Sequence, residues 1–546
     1  MASESGEREG EAPSGYAGGG GDASPYNKRG CTMETMRLDR LLEAIPESRI
    51  LTKEESHPPE IHHVVSDSRQ VRPGSLFVAM RGQRSNGHAF LQEALERGAV
   101  AVVIEESAGK PVLKAGVPVI QVRDARVALA RLAERFYGYP SSRLRVIGVT
   151  GTNGKTTVTY VIRSILQSAG CRTGLLGTVA YDLAGEAMPS THTTPESHIL
   201  QGLLAQLVEK GAGYVVMEVS SHALTLNRVD GCEFDVAIFT NLTQDHLDFH
   251  HTMEGYFESK RKLFLSLTSS SRKTVPKRAV INQDDVWGRR LIDSVTAPVW
   301  TYGLDRPADL TAKDLHGSLD GLTFTAVTPE GSFPVRSGLV GRYNVYNLLA
   351  AIGAALHLGI PSERIQQGIE SLSGVPGRFE RLDSGEGFKV IVDFAHTEDA
   401  LDRLLRTLTE LASGRVITVF GCGGDRDRGK RAPMGRVAAR YSDVVVITSD
   451  NPRSEDPVGI MKEVEVGVRE GSALKKDPIQ VMTIVDRQEA IEQALSLARP
   501  GDAVVLAGKG HEEYQIIGDR MIPFNDRRVT SDWIQRRRSG GRVRGS

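Results

Sequence analysis

The residues best able to do chemistry lie in Leu144–Thr157, which reads LRVIGVTGTNGKTT. Gly148, Gly151 and Gly154 break the segment into a loop, and Lys155 adds a full positive charge. Backbone N–H groups at a helix start, joined by an ammonium, form a cradle for phosphate. In such a cradle Lys155 reaches the terminal phosphates of a nucleotide such as ATP, and the Thr156 hydroxyl faces Mg²⁺. The spacing departs from GxxxxGK[ST], because Val149 stands where that pattern has its first glycine. A chance Gly-Lys-Thr in a loop is the plainer alternative, and the flanks argue against it. Val146–Val149 is short and apolar, as a buried parallel strand is. From Thr156 the run TTVTYVIRSILQSAG has helical spacing and closes at Gly170.

Further polar groups follow apolar runs. His192-Thr193-Thr194-Pro195 precedes a helix expected at Glu196–Lys210, with proline in its first turn and Thr194 as N-cap. A strand expected at Tyr214–Val219 delivers Glu218, Ser220, Ser221 and His222 at its carboxyl end, where open α/β sheets bind ligands. A carboxylate on such a strand needs a partner, and Mg²⁺ suits Glu218. The expected strand Val236–Thr240 leads to Asn241, to Asp245-His246-Leu247-Asp248, and to a helix carrying Lys260. A His/Asp/His cluster raises zinc, but the HExxH spacing is missing. Taken alone, Lys260 reads as a solvated charge. Asn344 and Asn347 share one helical face, where paired amides suit an adenine edge; an N-cap role for Asn344 competes.

Near the C-terminus, Asp393 and His396 close one apolar run. The basic loop Gly421–Arg431 follows Val416–Phe420, and Asp450-Asn451-Pro452-Arg453 follows Val444–Thr448. AGKGHEEYQ follows Ala503–Leu506. Loops at the carboxyl ends of strands are placed to bind anions.

Strands alternating with helices predict an α/β fold: a central doubly wound, mainly parallel sheet, a Rossmann-like C-terminal domain and a smaller N-terminal α/β domain. The boundaries read as 36–124, 125–374 and 375–537. Residues 1–35, rich in Gly, Ser and Glu, and the basic stretch 538–546 read as disordered tails. Asp309–Val335 alternates apolar and polar residues and reads as antiparallel strands appended to the central sheet. A length of 546 residues suits about three domains, and a net charge of −1 gives no reason to expect nucleic acid. Four scattered cysteines without a CxxC pair fit a reducing cytoplasm. The absence of a long apolar run predicts no membrane span, and a monomer is expected.

The motifs GTNGKTT, TTP, EVSSHAL, TNLTQDHLDFH, NVYNLLAA, GVPGRFE, DFAHT, GCGGDRDRGKR, DNPR and GKGHE occur in this order. Together they resemble the Mur ligase family, ATP-dependent amide-forming enzymes of peptidoglycan precursor synthesis, over about residues 66 to 515. The resemblance implies ATP contacts from Gly151, Thr152, Asn153, Gly154, Lys155, Thr156, Thr157, Asn344, Asn347 and Arg378. It implies a pocket for a UDP-muramoyl-peptide at Ser66, Ser68, Gln83, Arg84, Ser85, His192, Thr193, Thr194, Ser220 and Arg228. Leu226 departs from the glutamine that relatives often carry there. Lys260 matches a lysine that becomes N-carbamoylated, and with Thr156, Glu218 and His246 it matches the metal site. In the DFAHT motif Phe394 and Glu398 replace the usual Tyr and Pro.

Within the family, DNPR marks members that add meso-diaminopimelate to UDP-MurNAc-L-Ala-D-Glu. The matching contacts are Arg426, Asp450, Asn451, Pro452, Arg453, Gly508 and Glu512. An L-lysine-adding member is the near alternative. A folylpolyglutamate synthase would lack the N-terminal pocket, and a D-Ala-D-Ala-adding ligase would lack DNPR. A P-loop switch that only gates a binding surface is the alternative outside enzymology.

Overall fold

The computed structural model describes residues 35–52, 57–82, 85–108, 116–268 and 271–541. The expected N-terminal tail, apart from its last residue, and the candidates Gln83 and Arg84 lie outside these residues. Three sheets organise the chain, and each has apolar clusters on its faces.

The N-terminal sheet has five strands in the order Arg49–Ile50, Val119–Val122, Ala99–Glu105, Ser75–Val78 and His63–Val65. All of its pairings are parallel except that of Arg49–Ile50.

The central sheet has eight strands. Their order is Ala187–Pro189, Ala180–Asp182, Thr173–Leu176, Tyr214–Glu218, Arg145–Thr150, Val236–Phe239, Arg278–Asn282 and Val299–Tyr302. The last six pair in parallel. Arg145–Thr150 therefore lies between Tyr214–Glu218 and Val236–Phe239, and their carboxyl ends bring the glycine loop, Glu218 and Asn241 to one edge.

The appended strands expected at Asp309–Val335 form a sheet of their own: Thr311–Ser318, Gly321–Thr328 and Gly331–Ser337, all antiparallel. Its buried face, with Leu322, Phe324, Ala326, Phe333 and Val335, joins the cluster around helix Arg342–His357. The alternation was read correctly, but that face packs on a helix and does not extend the main sheet.

The C-terminal sheet has six strands in the order Glu380–Asp383, Lys389–Asp393, Ala503–Ala507, Val416–Phe420, Val444–Ile447 and Gln480–Thr483. Only Glu380–Asp383 is antiparallel. The outer strand Gln480–Thr483 is mostly exposed. The last helix, Asp526–Gly541, runs past Arg537, so the basic stretch expected to be disordered begins as helix. No helix among the described residues is long and apolar enough to cross a membrane.

Candidate active site

The phosphate loop is shaped by backbone that only glycine adopts without strain. Gly151 has φ +145°, and a Cβ there would fall 1.9 Å from Thr240 Oγ1. Gly154, at φ +90°, precedes helix Lys155–Ser168 and offers no side-chain cap. The first N–H groups of that helix therefore have no capping side chain to bind. Thr152 Oγ1 donates to Thr243 O at 3.2 Å and meets Tyr256 Oη at 3.3 Å. Asn153 N donates to Asn241 Oδ1 at 3.0 Å. Thr157 is buried in the first turn.

Two lysines share one carbonyl. Lys155 Nζ donates to Gly151 O at 3.0 Å and to Thr152 O at 2.8 Å. Lys260 Nζ, on helix Met253–Leu265, donates to the same Gly151 O at 2.8 Å. Lys260 is 1% exposed and lies over the Tyr256 ring. It is thus no solvated charge. Burial pushes its ammonium well below the usual lysine range, and Lys155 adds to the effect against Asp245. Burial also lowers Lys155, which Glu218 and Asp245 oppose. Asp248 is exposed.

Glu218 is 1% exposed and well bonded. Its Oε1 accepts from Thr156 Oγ1 at 3.0 Å and from Thr178 N at 2.9 Å, and its Oε2 accepts from Thr178 Oγ1 at 3.1 Å. Arg378 Nη2 donates to Thr156 Oγ1 at 3.2 Å, which brings the C-terminal part of the chain onto the phosphate loop. Asp399 makes a second such contact, accepting from Asn153 Nδ2 at 2.9 Å. Thr156 and Glu218 thus gather hard oxygens of the kind Mg²⁺ takes, completed by substrate phosphates. His246 lies edge-on to His222 at 4.8 Å and to Tyr256 at 6.1 Å, and beside Asp245. Among the described residues, no group of three or more His, Cys, Asp or Glu is placed to hold a metal by itself.

Asn344 and Asn347 turn inward. Asn344 Nδ2 donates to Val340 O at 2.7 Å, and Asn347 Nδ2 donates to Asn344 Oδ1 at 2.8 Å. The N-cap is Gly341, not Asn344. Asn347 Oδ1 abuts Gly154, so the pair braces the phosphate loop.

The loop His192–Pro195 also differs from its expected role. The helix there is Ser197–Glu209 with Glu196 at its N-cap, so Pro195 precedes it and Thr194 does not cap it. Thr194 Oγ1 reaches Glu218 O at 2.9 Å and accepts from Ser220 N at 3.0 Å. Thr193 Oγ1 meets Thr178 Oγ1 at 3.1 Å, and the Tyr181 hydroxyl bonds the backbone of His192. Ser220 caps helix Ser221–Thr225, at whose end sits Leu226 with no polar side-chain atom to offer. Arg228 Nη1 donates to Thr194 O at 3.3 Å, and its Nη2 pairs with Glu196 at 2.7 Å. In the N-terminal sheet, Ser68 Oγ bonds Glu93 at 3.1 Å, and Asp67 caps the turn Ser68–Gln70. Ser66 is half-buried there, while Ser85 accepts from Gly82 N through its carbonyl at 2.9 Å.

The C-terminal pocket is closed by side-chain bonds. Arg453 stands at φ +51°, a left-handed conformation uncommon for a bulky residue. Its N donates to Ile516 O at 3.1 Å, and its carbonyl accepts from Gly518 N at 2.7 Å. Its Nη1 donates to Gly424 O at 2.8 Å, while Nε is buried without a partner. Arg426 is exposed on the same basic loop. Pro452 is buried, and Gly508, at φ +111°, lies against Asp450. Burial would raise Asp450, but Lys509, then Arg487 and Arg453, outweigh it and hold it below the ordinary carboxylate range. Asn451 Oδ1 is occupied by Lys509 Nζ at 3.1 Å and Ile516 N at 3.0 Å. Its Nδ2 donates to Glu512 Oε2 at 2.9 Å. Asp393 ties the pocket to Arg378, accepting from Phe379 N at 2.6 Å and, through its carbonyl, from Gly508 N at 3.0 Å. Phe394 lies under the Arg378 guanidinium. His396 Nδ1 meets Phe394 O at 2.8 Å, and burial lowers its pKa to about 4. Glu398 opens a helix capped by Thr397, where a carboxylate favours the dipole.

Sequence reasoning missed Thr178, Glu196, Asp399 and the part played by Lys509. The first three carry no local signal, since each acts on a residue distant in the chain.

This fold and these loops define a three-sheet nucleotide-dependent ligase, and the chain belongs to the Mur ligase family. Family models match as Mur ligase family, catalytic domain over residues 60–137, Mur ligase middle domain over 149–355, and Mur ligase, glutamate ligase domain over 377–510. The chain is 49% identical to the UDP-N-acetylmuramoyl-L-alanyl-D-glutamate--2,6-diaminopimelate ligase of Geobacter sulfurreducens, with 86% of this chain and 93% of that protein covered. It is 46% identical to the enzyme of the same name from Geobacillus thermodenitrificans, covering 92% of this chain and all of that one. A solved structure of a ligase of this name matches with a TM-score of 0.64 at 34% identity, over 92% of this chain and 100% of that one.

Proposed function

We propose that this ligase adds meso-diaminopimelate to the D-glutamate γ-carboxylate of UDP-MurNAc-L-Ala-D-Glu, at the expense of ATP, in cytoplasmic peptidoglycan precursor synthesis for the cell wall. The observation that carries the substrate choice is Arg453. Its strained backbone is held by two hydrogen bonds, Nη1 is anchored, and a buried Nε lacks an acceptor. The Nε–Nη2 edge is the side of a guanidinium that clamps a carboxylate with two parallel bonds. Diaminopimelate carries a distal carboxylate where L-lysine has none. Asn451 does not bond the distal ammonium through its oxygen, because that oxygen is already shared by Lys509 and Ile516. Asp450 and Glu512 take that role.

The reaction runs in two stages. The γ-carboxylate oxygen attacks the terminal phosphorus of ATP, giving an acyl phosphate and ADP. The amine then attacks the acyl carbon, loses a proton, and inorganic phosphate leaves from the tetrahedral intermediate. Lys155 swings from the Gly151 and Thr152 carbonyls to the transferred phosphoryl group, and the loop amides hold the phosphates. Mg²⁺, held by Thr156 and Glu218 with His246 nearby, would neutralise charge on the phosphates. Lys260 reacts with CO₂ as the free amine, losing a proton to become a carbamate; the burial that lowers its pKa favours that free amine. The anion then relieves the repulsion between two lysines on one carbonyl. Ser66, Ser68, Ser85, Thr193, Thr194, Ser220 and Arg228 bind the UDP-muramoyl-peptide. The N-terminal, central and C-terminal parts thus take UDP, ATP and the amino acid, and the enzyme acts as a monomer.

Phosphate release measured with UDP-MurNAc-L-Ala-D-Glu and either amino acid tests the reading. The expected kcat/KM ratio favours meso-diaminopimelate by about 30- to 1,000-fold, since lysine leaves the Arg453 charge unpaired. Equal values for the two amino acids would remove the substrate assignment.

A further inference from the structure

The C-terminal pocket contains a cation that the reaction just described leaves without a task. Lys509 is fully buried, at 0% exposure. Its Nζ lies 3.1 Å from Asn451 Oδ1 and 2.9 Å from Glu512 Oε2. Asn451 Nδ2 donates to the same Glu512 oxygen at 2.9 Å, closing a ring of three side chains. An ammonium only donates, and so does Ile516 N, which also bonds Asn451 Oδ1 at 3.0 Å. These two donors fix which way the Asn451 amide faces, and that orientation aims its NH₂ at Glu512. Glu512 Oε2 is thereby filled by two donors, while Oε1 has no hydrogen-bond partner among the described residues.

We infer that Lys509 is the positioning residue of the amino-acid pocket: its buried ammonium locks Asn451 and Glu512 so that Glu512 Oε1 is the acceptor presented to the incoming amino acid. The inference rests on the amino-acid role proposed for this pocket. The charge balance supports it. Asp450 and Glu512 are carboxylates in one largely buried pocket, and two such anions repel unless a cation lies between them. Of the cations whose charge reaches Asp450, Lys509 acts most strongly, followed by Arg487 and Arg453. Arg487 is committed to Asp526, with both side chains fully buried, and Arg453 is anchored on Gly424. Lys509 alone among them bonds the side chains of Asn451 and Glu512, the residues expected to touch the amino acid; Arg453 reaches only the Asn451 backbone carbonyl. It touches no substrate itself.

The test uses the full chain with ATP and UDP-MurNAc-L-Ala-D-Glu, varying the amino acid. Lys509→Met keeps the stem and removes the charge. The KM for the amino acid is expected to rise about 30-fold, the loss of charge-assisted hydrogen bonds, with the KM values for ATP and the UDP substrate unchanged. The acid limb of kcat/KM for the amino acid moves up by about one pH unit, because Asp450 loses the counter-ion that holds its pKa down. Lys509→Gln, which restores a donor without charge, falls between parent and Met variant and serves where the Met variant does not fold. An amino-acid KM within twofold of the parent together with an unmoved acid limb would overturn the inference. So would failure of both variants to fold, which makes Lys509 a structural residue only. If the parent enzyme uses L-lysine in place of meso-diaminopimelate, the substrate assignment fails, and the KM shift for L-lysine still decides the role of Lys509.

Discussion

The two chemical centres of this molecule are built on opposite electrostatic plans. At the phosphate loop, Lys155 and Lys260 crowd one carbonyl oxygen, each pushed toward its neutral form by burial. In the C-terminal pocket, Lys509 meets Glu512, Arg487 meets Asp526 and Arg431 meets Glu455, all at ion-pair distance. The first centre sets two cations on one oxygen, with Glu218 and Asp245 only partly opposing the burial that acts on them. The second is balanced beforehand and offers single unfilled atoms, Arg453 Nε and Glu512 Oε1. A site that binds a polyanion can leave repulsion in place, since the ligand relieves it. A site that must tell two zwitterions apart needs its groups fixed in advance.

Removing one of these two cations is the strongest way to break this contrast. Lys155→Ala is expected to lower kcat by about 10³-fold or more, while binding of UDP-MurNAc-L-Ala-D-Glu, measured by calorimetry, stays within about twofold. Turnover near the parent rate would show that the loop does not depend on that charge. Lys260→Ala should cost about 10²-fold in kcat, with partial rescue by added short carboxylates if the working form is an anion. A ¹³C signal from labelled bicarbonate reports the carbamate directly, and an unmodified lysine in the active complex would count against it. The mildest probe lies between the centres. Asp399→Ala removes the acceptor of Asn153 and is expected to raise the KM for ATP about fivefold, with the KM for the amino acid unchanged. A change in the amino-acid KM instead would place Asp399 on the wrong side of the comparison.

The sequence was most legible where local chemistry decides the structure. The strands Ala99–Glu105 and Val416–Phe420 coincide with their apolar runs, and the glycine loop sits between strand and helix as its spacing predicts. It misled where a side chain had a distant partner that outcompeted the local one. Thr194 before a helix looks like a cap, yet its hydroxyl is drawn to the Glu218 carbonyl and the Ser220 amide across the sheet edge. Asn344 offers an N-cap, yet Gly341 holds that position and the Asn344 amide bonds its near neighbours Val340 and Asn347. Lys260 reads as an exposed charge because its helix has a mixed pattern, and only the packing onto Tyr256 and Gly151 reveals its burial. Thr178, which holds both oxygens of Glu218, carries no signal at all in the sequence.

The outer strand of the C-terminal sheet, Gln480–Thr483, bears on a matter apart from catalysis. One side of it pairs with Val444–Ile447, and among the described residues no strand pairs with the other. A bare parallel edge is a template on which a newly made chain could stack, most of all while its neighbours are still folding. The residues leading into it are Lys475, Lys476, Asp477 and Pro478. Two like charges and a proline, which cannot donate to a ladder, are poor material for extending a foreign strand. The edge thus carries its own guard against aggregation, set in the sequence just before the strand begins.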